Sequence, residues 1–240
     1  MDLPNSCKVA IVAALEREVW PMVRDWSSRR WEHEGNGFKF FENSGVVLVC
    51  AGVGAEAARR AAEAIVNLYR PALLVSAGFA GALDPNLQVG DMLVPNCVID
   101  AADGSRTEHG RGEGLLVTFE DIADAEQKAK LGKAFGAHAV DMEAAAVARC
   151  AESHGVEFFA CKVISDTSDS PLPSVKRFVD SMGRFHAARY LLHIAIRPWL
   201  WAQVMQLARN SKMAAQKLCQ ALMSQRVLQT TTLEKQAITR

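Results

Sequence analysis

Apolar residues in this chain fall into short, nearly unbroken runs separated by stretches of helical period. Residues 9–14 (VAIVAA) form the first run, the pattern of a strand buried on both faces, and residues 15–23 open a helix behind it. A second run, 45–50 (GVVLVC), ends on 51–54 (AGVG), a glycine turn. Residues 55–69 are rich in Ala, Arg and Glu, with apolar positions at helical spacing; Pro71 stops that helix, and 72–76 (ALLVS) is the next buried strand. Two successive strand–helix–strand steps predict an α/β fold: a single domain with a central mixed, mostly parallel sheet flanked by helices.

Further along, the polar, glycine-rich residues 101–114 read as a surface loop. A brief strand is expected at 115–118, an amphipathic helix at 124–135 and a helix of small residues at 141–153. Residues 158–165 (FFACKVIS) read as the last strand and 174–196 as a long helix. After Pro198 the character changes. Residues 199–226 read as helical, with Trp199, Trp201, Val204, Leu207 and Leu218 apolar; Arg209, Lys212, Lys217 and Arg226 are basic with no acid between them, and 229–240 look frayed. The expected organisation is a catalytic domain over 1–197 and a helical basic extension over 198–240.

Composition narrows the partners. Half of the 240 residues are hydrophobic, and 27 Lys plus Arg balance 27 Asp plus Glu. Duplex nucleic acid is bound through a basic excess, which is missing here, so no nucleic-acid partner is expected. The six cysteines show no close C-x-x-C spacing, and several sit inside apolar runs as small hydrophobes. That usage predicts a reducing compartment, no metal site and no cofactor. Residues 1–7 are polar and include Asp2, so they are not expected to act as a signal peptide; the reading is cytoplasmic. The longest apolar stretch, 190–205, is interrupted by His193, Arg197 and Pro198, whereas a span needs about 20 apolar residues.

In open α/β sheets, ligands bind beyond the carboxyl ends of the strands. Past the first strand lie Glu16, Arg17 and Glu18; past the second, 51–54; past the third, 77–81 (AGFAG); past the last, 165–169 (SDTSD). Carboxylates, glycine turns and a hydroxyl thus gather at one edge, the composition of an acid/base site. Plainer readings stand beside this one. Glu16 and Glu18 also suit a helix N-terminus, and the glycines suit tight turns. Asp141-Met142-Glu143 is more telling, because two acids flank a methionine where an apolar helix begins. A buried carboxylate needs hydrogen-bond donors, and a sugar diol offers two; satisfied structural acids are the alternative.

Five stretches in order, 11–19 (IVAALEREV), 51–58 (AGVGAEAA), 76–91 (SAGFAGALDPNLQVGD), 139–148 (AVDMEAAAVA) and 163–169 (VISDTSD), make the chain resemble the nucleoside phosphorylase and nucleosidase superfamily that includes methylthioadenosine/S-adenosylhomocysteine nucleosidase. The resemblance implies cleavage of the N-glycosidic bond of a purine nucleoside, adenine being the base. It implies that Asp166 is the general acid protonating the purine at N7, that Glu143 binds the ribose 2′ and 3′ hydroxyls beside Met142, and that Glu18 activates the attacking water. Val140 and Ser165 fall at base-pocket positions, Phe79, Ala80 and Gly81 at the glycine loop, and Ile122 or Phe119 at the wall of the base pocket.

Departures from the family accompany the match. Phe79 stands where the nucleosidases carry serine in a G-S-A-G-G loop, and Ala82 replaces the second glycine of its pair. Ser76 stands where hexameric phosphorylases place a phosphate-holding arginine, so that phosphate site is absent, although Arg17, Arg59 or Arg60 could substitute. The segment between Asp103 and Leu115 is short, which predicts an open pocket. The short middle, the 139–149 helix and the Pro-Trp-basic tail are similar to the hopanoid-associated nucleoside phosphorylases, whose implied substrate is adenosylhopane. The tail then suits either peripheral membrane contact or packing between subunits, and the family implies a homodimer or higher homo-oligomer. Phosphate or water as the acceptor stays open. A catalytically inactive nucleoside-binding module and a membrane-associated interaction protein are the competing classes.

Overall fold

The computed structural model describes residues 7–170 and 201–224. Its first half runs β1 (Val9–Ala13), α1 (Glu16–Val23), β2 (Ser27–His33), β3 (Asn36–Asn43), β4 (Val46–Cys50), α2 (Ala55–Tyr69) and β5 (Leu73–Ala82). There follow β6 (Met92–Leu93), β7 (Cys97–Asp100), β8 (Arg106–Glu108), β9 (Leu115–Thr118), α3 (Ala125–Phe135), β10 (Ala139–Asp141), α4 (Ala144–Ser153) and β11 (Glu157–Asp166). The last described helix is α5 (Trp201–Met223). The helix expected at 174–196, Trp199 and the tail beyond residue 224 lie outside the described residues.

All the strands join one mixed sheet. Its centre is parallel: β1 lies between β4 and β5, and β11 runs along the other edge of β5. These strands are buried on both faces, as their unbroken apolar runs require. One face carries α2 and α4, whose inner surfaces are dominated by alanine: Ala58, Ala61, Ala62 and Ala64 share a cluster with Ala144, Ala145, Ala146, Ala148 and Ala151. Side chains this small let the helices approach closely. The other face carries α1 and α5; Ala214, Leu218, Cys219 and Leu222 of α5 enter the same core as Val19, Met22 and Val23. The inner face of α5 is therefore core material of this domain. No described helix is long and apolar enough to cross a membrane.

Three elements differ from expectation. An antiparallel hairpin, β2–β3, extends the sheet beyond β4. Its turn at Glu34–Gly35 and the next at Ser44–Gly45 place both residues at positive φ, the two-residue connection that matches strand twist. Because β2 is mostly exposed, it lacks the apolar alternation that marks a half-buried strand. The loop expected at 101–114 includes the short strand β8, which pairs with β7. Most consequentially, 77–81 is not a turn beyond the third strand but the continuation of β5, held by β11 through Gly81.

Candidate active site

The continuation of β5 creates a break in strand pairing. Its first edge pairs with β1 as far as Ala77, then with β10 from Gly81 onward. Between them, Gly78, Phe79 and Ala80 have no strand on that side among the described residues. The opening lies where β1 ends and gives way to β10, the sort of topological break at which α/β sheets hold ligands. The chain after β1 turns into α1 here, and the chain after β4 turns into α2 at Gly54.

Glu18 enters this opening from the first turn of α1. It is buried, and its Oε2 has no hydrogen-bond partner among the described residues. Gly78 admits it: a Cβ at Gly78 would stand 3.1 Å from Glu18 Oε2 and 3.8 Å from Lys162 Nζ. Burial raises the Glu18 carboxyl to about 7, against the opposing pull of the Lys162 and Arg17 charges.

Lys162 is the structural centre of this end of the site. It rises from the middle of β11 and is fully buried, where a bare ammonium would be costly. Its Nζ lies 2.7 Å from Asp141 and donates to Ser76 Oγ at 3.0 Å. Burial opposes its charge, but Asp141, Glu143 and Glu18 outweigh that and hold it above the ordinary lysine value. Ser76, whose resemblance position belongs to an arginine, thus serves as an acceptor for a cation from another strand.

Asp141 and Glu143 have separate duties. Asp141 ends β10, accepts from Thr118 Oγ1 at 2.6 Å and caps α4 by accepting from the Ala144 N–H at 2.9 Å. The helix therefore begins at Ala144, not Asp141, and the intervening turn leaves Glu143 half-buried at the N-cap position. There Glu143 Oε1 accepts from the Gly54 N–H at 2.8 Å. Its carboxyl is also raised, to about 7, mostly by burial and then by the charge of Asp141. The Oε2 atom accepts no hydrogen bond among the described residues.

The other end of the site is built around Asp166, the last residue of β11. Ser165 Oγ donates to Asp166 Oδ1 at 2.6 Å, and Lys128 Nζ forms a close ion pair with Oδ2. Lys128 also donates to the Thr167 carbonyl at 2.6 Å. It lies on the inner face of α3, one turn before the buried Leu131. That helix is anchored by a capping box in which the Asp124 side chain accepts from the Gln127 N–H and Gln127 from Asp124. Gly81 makes the pairing feasible, since a Cβ there would lie 2.8 Å from Asp166 Oδ2 and 3.1 Å from Lys128 Cε.

Gly78 and Gly81 are three positions apart on β5, about 10 Å of strand. Successive strand residues face opposite sides of a sheet, so the Glu18–Lys162 group at Gly78 and the Asp166–Lys128 group at Gly81 meet β5 from its two sides, with Glu143, at the N-cap of α4, on the Lys162 side. Of the remaining expected site residues, Val140 packs in an apolar cluster with Val117, Ala123 and Leu131. Ala80 is buried and its carbonyl lies 3.4 Å from Ser165 Oγ. Phe79 is half-buried against the α1–α5 side of the core. Met142 and Ile122 are half-buried at the starts of α4 and of the segment before α3. Phe119 joins the cluster around Val140. Arg59 is tied to Glu56 and Glu63 on the outside of α2, away from any anion-holding duty.

Sequence reasoning missed both lysines. Lys162 left a signal, a lone cation inside an apolar strand, where burial demands a partner. Lys128 left none: in AEQKAKLGK it looks like Lys130 and Lys133, and only packing selects it. Among the described residues, no cluster of three or more His, Cys, Asp or Glu is placed to hold a metal ion.

A parallel-centred α/β sheet with carboxylates at a break in strand pairing is the class of architecture in which small ligands are held at strand ends. The model of the phosphorylase superfamily matches residues 8–131 and 113–194, and the chain belongs to that superfamily. A 5′-methylthioadenosine/S-adenosylhomocysteine nucleosidase of Staphylococcus aureus (strain MRSA252) is 26% identical over 199 residues, covering 67% of this chain and 87% of the relative. Among solved structures, the fold is similar to S-adenosylhomocysteine nucleosidase of Streptococcus pyogenes in complex with 5-methylthiotubericidin (TM-score 0.66, 19% identity, 91% of this chain and 95% of that one). It is likewise similar to futalosine hydrolase of Helicobacter pylori (TM-score 0.64, 18% identity, 88% and 95%).

Proposed function

We propose that this chain hydrolyses the N-glycosidic bond of a purine nucleoside whose base is adenine. The observation that carries this reading is Glu18, a buried carboxyl with an unpartnered oxygen beside Gly78, where the strand pairing of β5 breaks, and a proton affinity near neutrality. A general base works best when its proton affinity lies near the operating pH. The adenine-nucleoside relatives supply the substrate class.

In this reading the base lies at the Asp166 end, the ribose beside Glu143 and the attacking water at Glu18. Glu143 Oε1 is already held by Gly54, which fixes the side chain and leaves Oε2 to accept from ribose hydroxyls. Lys162 holds Asp141 in place, and its charge also favours the ionised form of Glu18 that takes a proton from water. As the C1′–N bond breaks, its electron pair goes to the purine, positive charge develops on the sugar, and Asp166 passes a proton to the departing base. Met142, Val140, Phe79, Ala80, Gly81, Ile122 and Ser165 form the surrounding wall.

The 5′ substituent belongs to this proposal as well; the short 103–115 segment supports a large apolar group there, such as the triterpenoid of adenosylhopane. Pairing of two copies is supported by large apolar side chains left exposed on α1 and α5, Trp20 and Met213 among them.

The test is chromatographic detection of free adenine from adenosine and methylthioadenosine, with and without inorganic phosphate. Hydrolysis predicts release that is independent of phosphate. Release that requires phosphate would remove Glu18 from its role and make the reaction phosphorolysis. Binding without release under either condition would leave a nucleoside-binding module.

A further inference from the structure

The surroundings of Asp166 bear on the source of the proton that the leaving base receives. Both carboxylate oxygens already accept from donors: Oδ1 from the Ser165 hydroxyl and Oδ2 from the Lys128 ammonium. A carboxylate so gripped is engaged as an acceptor on both oxygens. Beside it Lys128 is almost completely enclosed, 1% exposed, and its other described bond is to the Thr167 carbonyl. Such burial of a lysine on an otherwise ordinary helix needs a reason beyond stability, because a buried ion pair is often no more stabilising than apolar residues of the same volume.

We propose that Lys128 is the proton store for the leaving purine and that Asp166 is the conduit. The inference rests on the nucleoside-cleaving reading and deepens it. As the C1′–N bond breaks with its electron pair moving to the base, Asp166 Oδ2 delivers a proton to a ring nitrogen and receives one from Lys128 Nζ. Lys128 is left as a neutral amine beside a carboxylate. Water adds at C1′ and gives its proton to Glu18; Glu18 releases that proton to solvent, and Lys128 takes one back. The sum is nucleoside plus water to free sugar plus base, with no other reactant.

The helix that carries Lys128 is positioned for this by its capping box, and Gly81 provides the room in which the ammonium and carboxylate meet. Lys128 acts through Asp166 without touching substrate. It is therefore a positioning residue that holds a proton, and leaving-group chemistry separates this role from a scaffolding one.

The experiment compares two substrates in wild type and K128M. Adenosine needs a proton on its base to depart; 4-nitrophenyl β-D-ribofuranoside does not, because nitrophenolate leaves as the anion. The proposal predicts that K128M lowers kcat/KM for adenosine by about 100-fold or more while nitrophenolate release stays within about threefold of wild type. An equal fall on both substrates would show that Lys128 only supports the fold, and an unchanged adenosine rate would overturn the proposal directly. If K128M does not fold, K128Q takes its place and keeps a polar group against Asp166 without the ammonium proton. The same split between substrates is then expected, and adenosine turnover near the wild-type rate is the overturning result. Wild type that releases neither adenine nor nitrophenolate would instead defeat the nucleoside-cleaving reading itself.

Discussion

Replacing Glu18 by glutamine should make the protein more stable and far less active, with a sign that depends on pH. The Glu18 carboxyl has an ordinary value of 4.5 and rises to about 7 in the folded chain, chiefly through burial. Below the lower value, folded and unfolded chains both carry the proton. Between the two, only the folded chain retains it, so raising the pH progressively favours unfolding. Above the upper value the folded chain holds a buried carboxylate and the loss is complete, about 3 kcal/mol. Glutamine has the same shape and no such dependence. The melting temperature of Glu18→Gln relative to wild type should therefore rise by about 6 to 12 °C between about pH 5 and about pH 8.5. Circular dichroism melts at the two pH values measure this, and taking the difference removes any effect of the amide on packing. Adenine release should fall by about 10²–10⁴-fold in the same variant, while wild-type activity climbs as the pH passes about 7. A melting difference that does not change with pH would refute the buried, proton-binding Glu18 on which the hydrolytic reading depends.

Three further outcomes follow from the same geometry. Glu143→Gln should lower kcat/KM for adenosine by about 10- to 100-fold, the worth of a charged hydrogen bond, but barely affect 2′,3′-dideoxyadenosine; equal losses on both would show that Glu143 does not bind the diol. Lys162→Met leaves the buried Asp141 carboxylate without its cation, so the melting temperature should fall by about 10 °C; a loss below about 3 °C would contradict the role of this pair as the anchor of the site. Gly81→Ala places a methyl 2.8 Å from Asp166 Oδ2. Steady-state kinetics should then show adenine release reduced by about 100-fold, and unaltered turnover would mean that the Asp166–Lys128 pair shifts freely.

Much of this was legible in the sequence, for identifiable reasons. Buried parallel strands declare themselves as apolar runs, and Glu18 and Asp166 fall near the ends of such runs by topology. Glu143 was marked by its setting, an acid where an alanine-rich helix begins. What escaped was pattern made by partners distant in the chain. The β2–β3 hairpin is mostly exposed on β2, so no apolar alternation announced it, although Glu34-Gly35 and Ser44-Gly45 carried its turns. The AGFAG segment reads locally as a turn; it is a strand because β11 pairs along it from Ala77 to Gly81. Lys128 differs from Lys130 and Lys133 only in pointing toward the core, which α3 alone cannot reveal.

The alanine contact between α2 and α4 has a bearing on how this protein can change. Gly54, at the start of α2, and Glu143, at the start of α4, meet through a single hydrogen bond, and the seam behind them is filled by methyl groups. Such a seam has no slack: replacing Ala61 or Ala148 by valine would wedge the helices apart and pull the acid away from its amide without altering a single charged residue. Drift in ribose affinity among variants should consequently trace to inert positions along this seam as often as to the acids themselves.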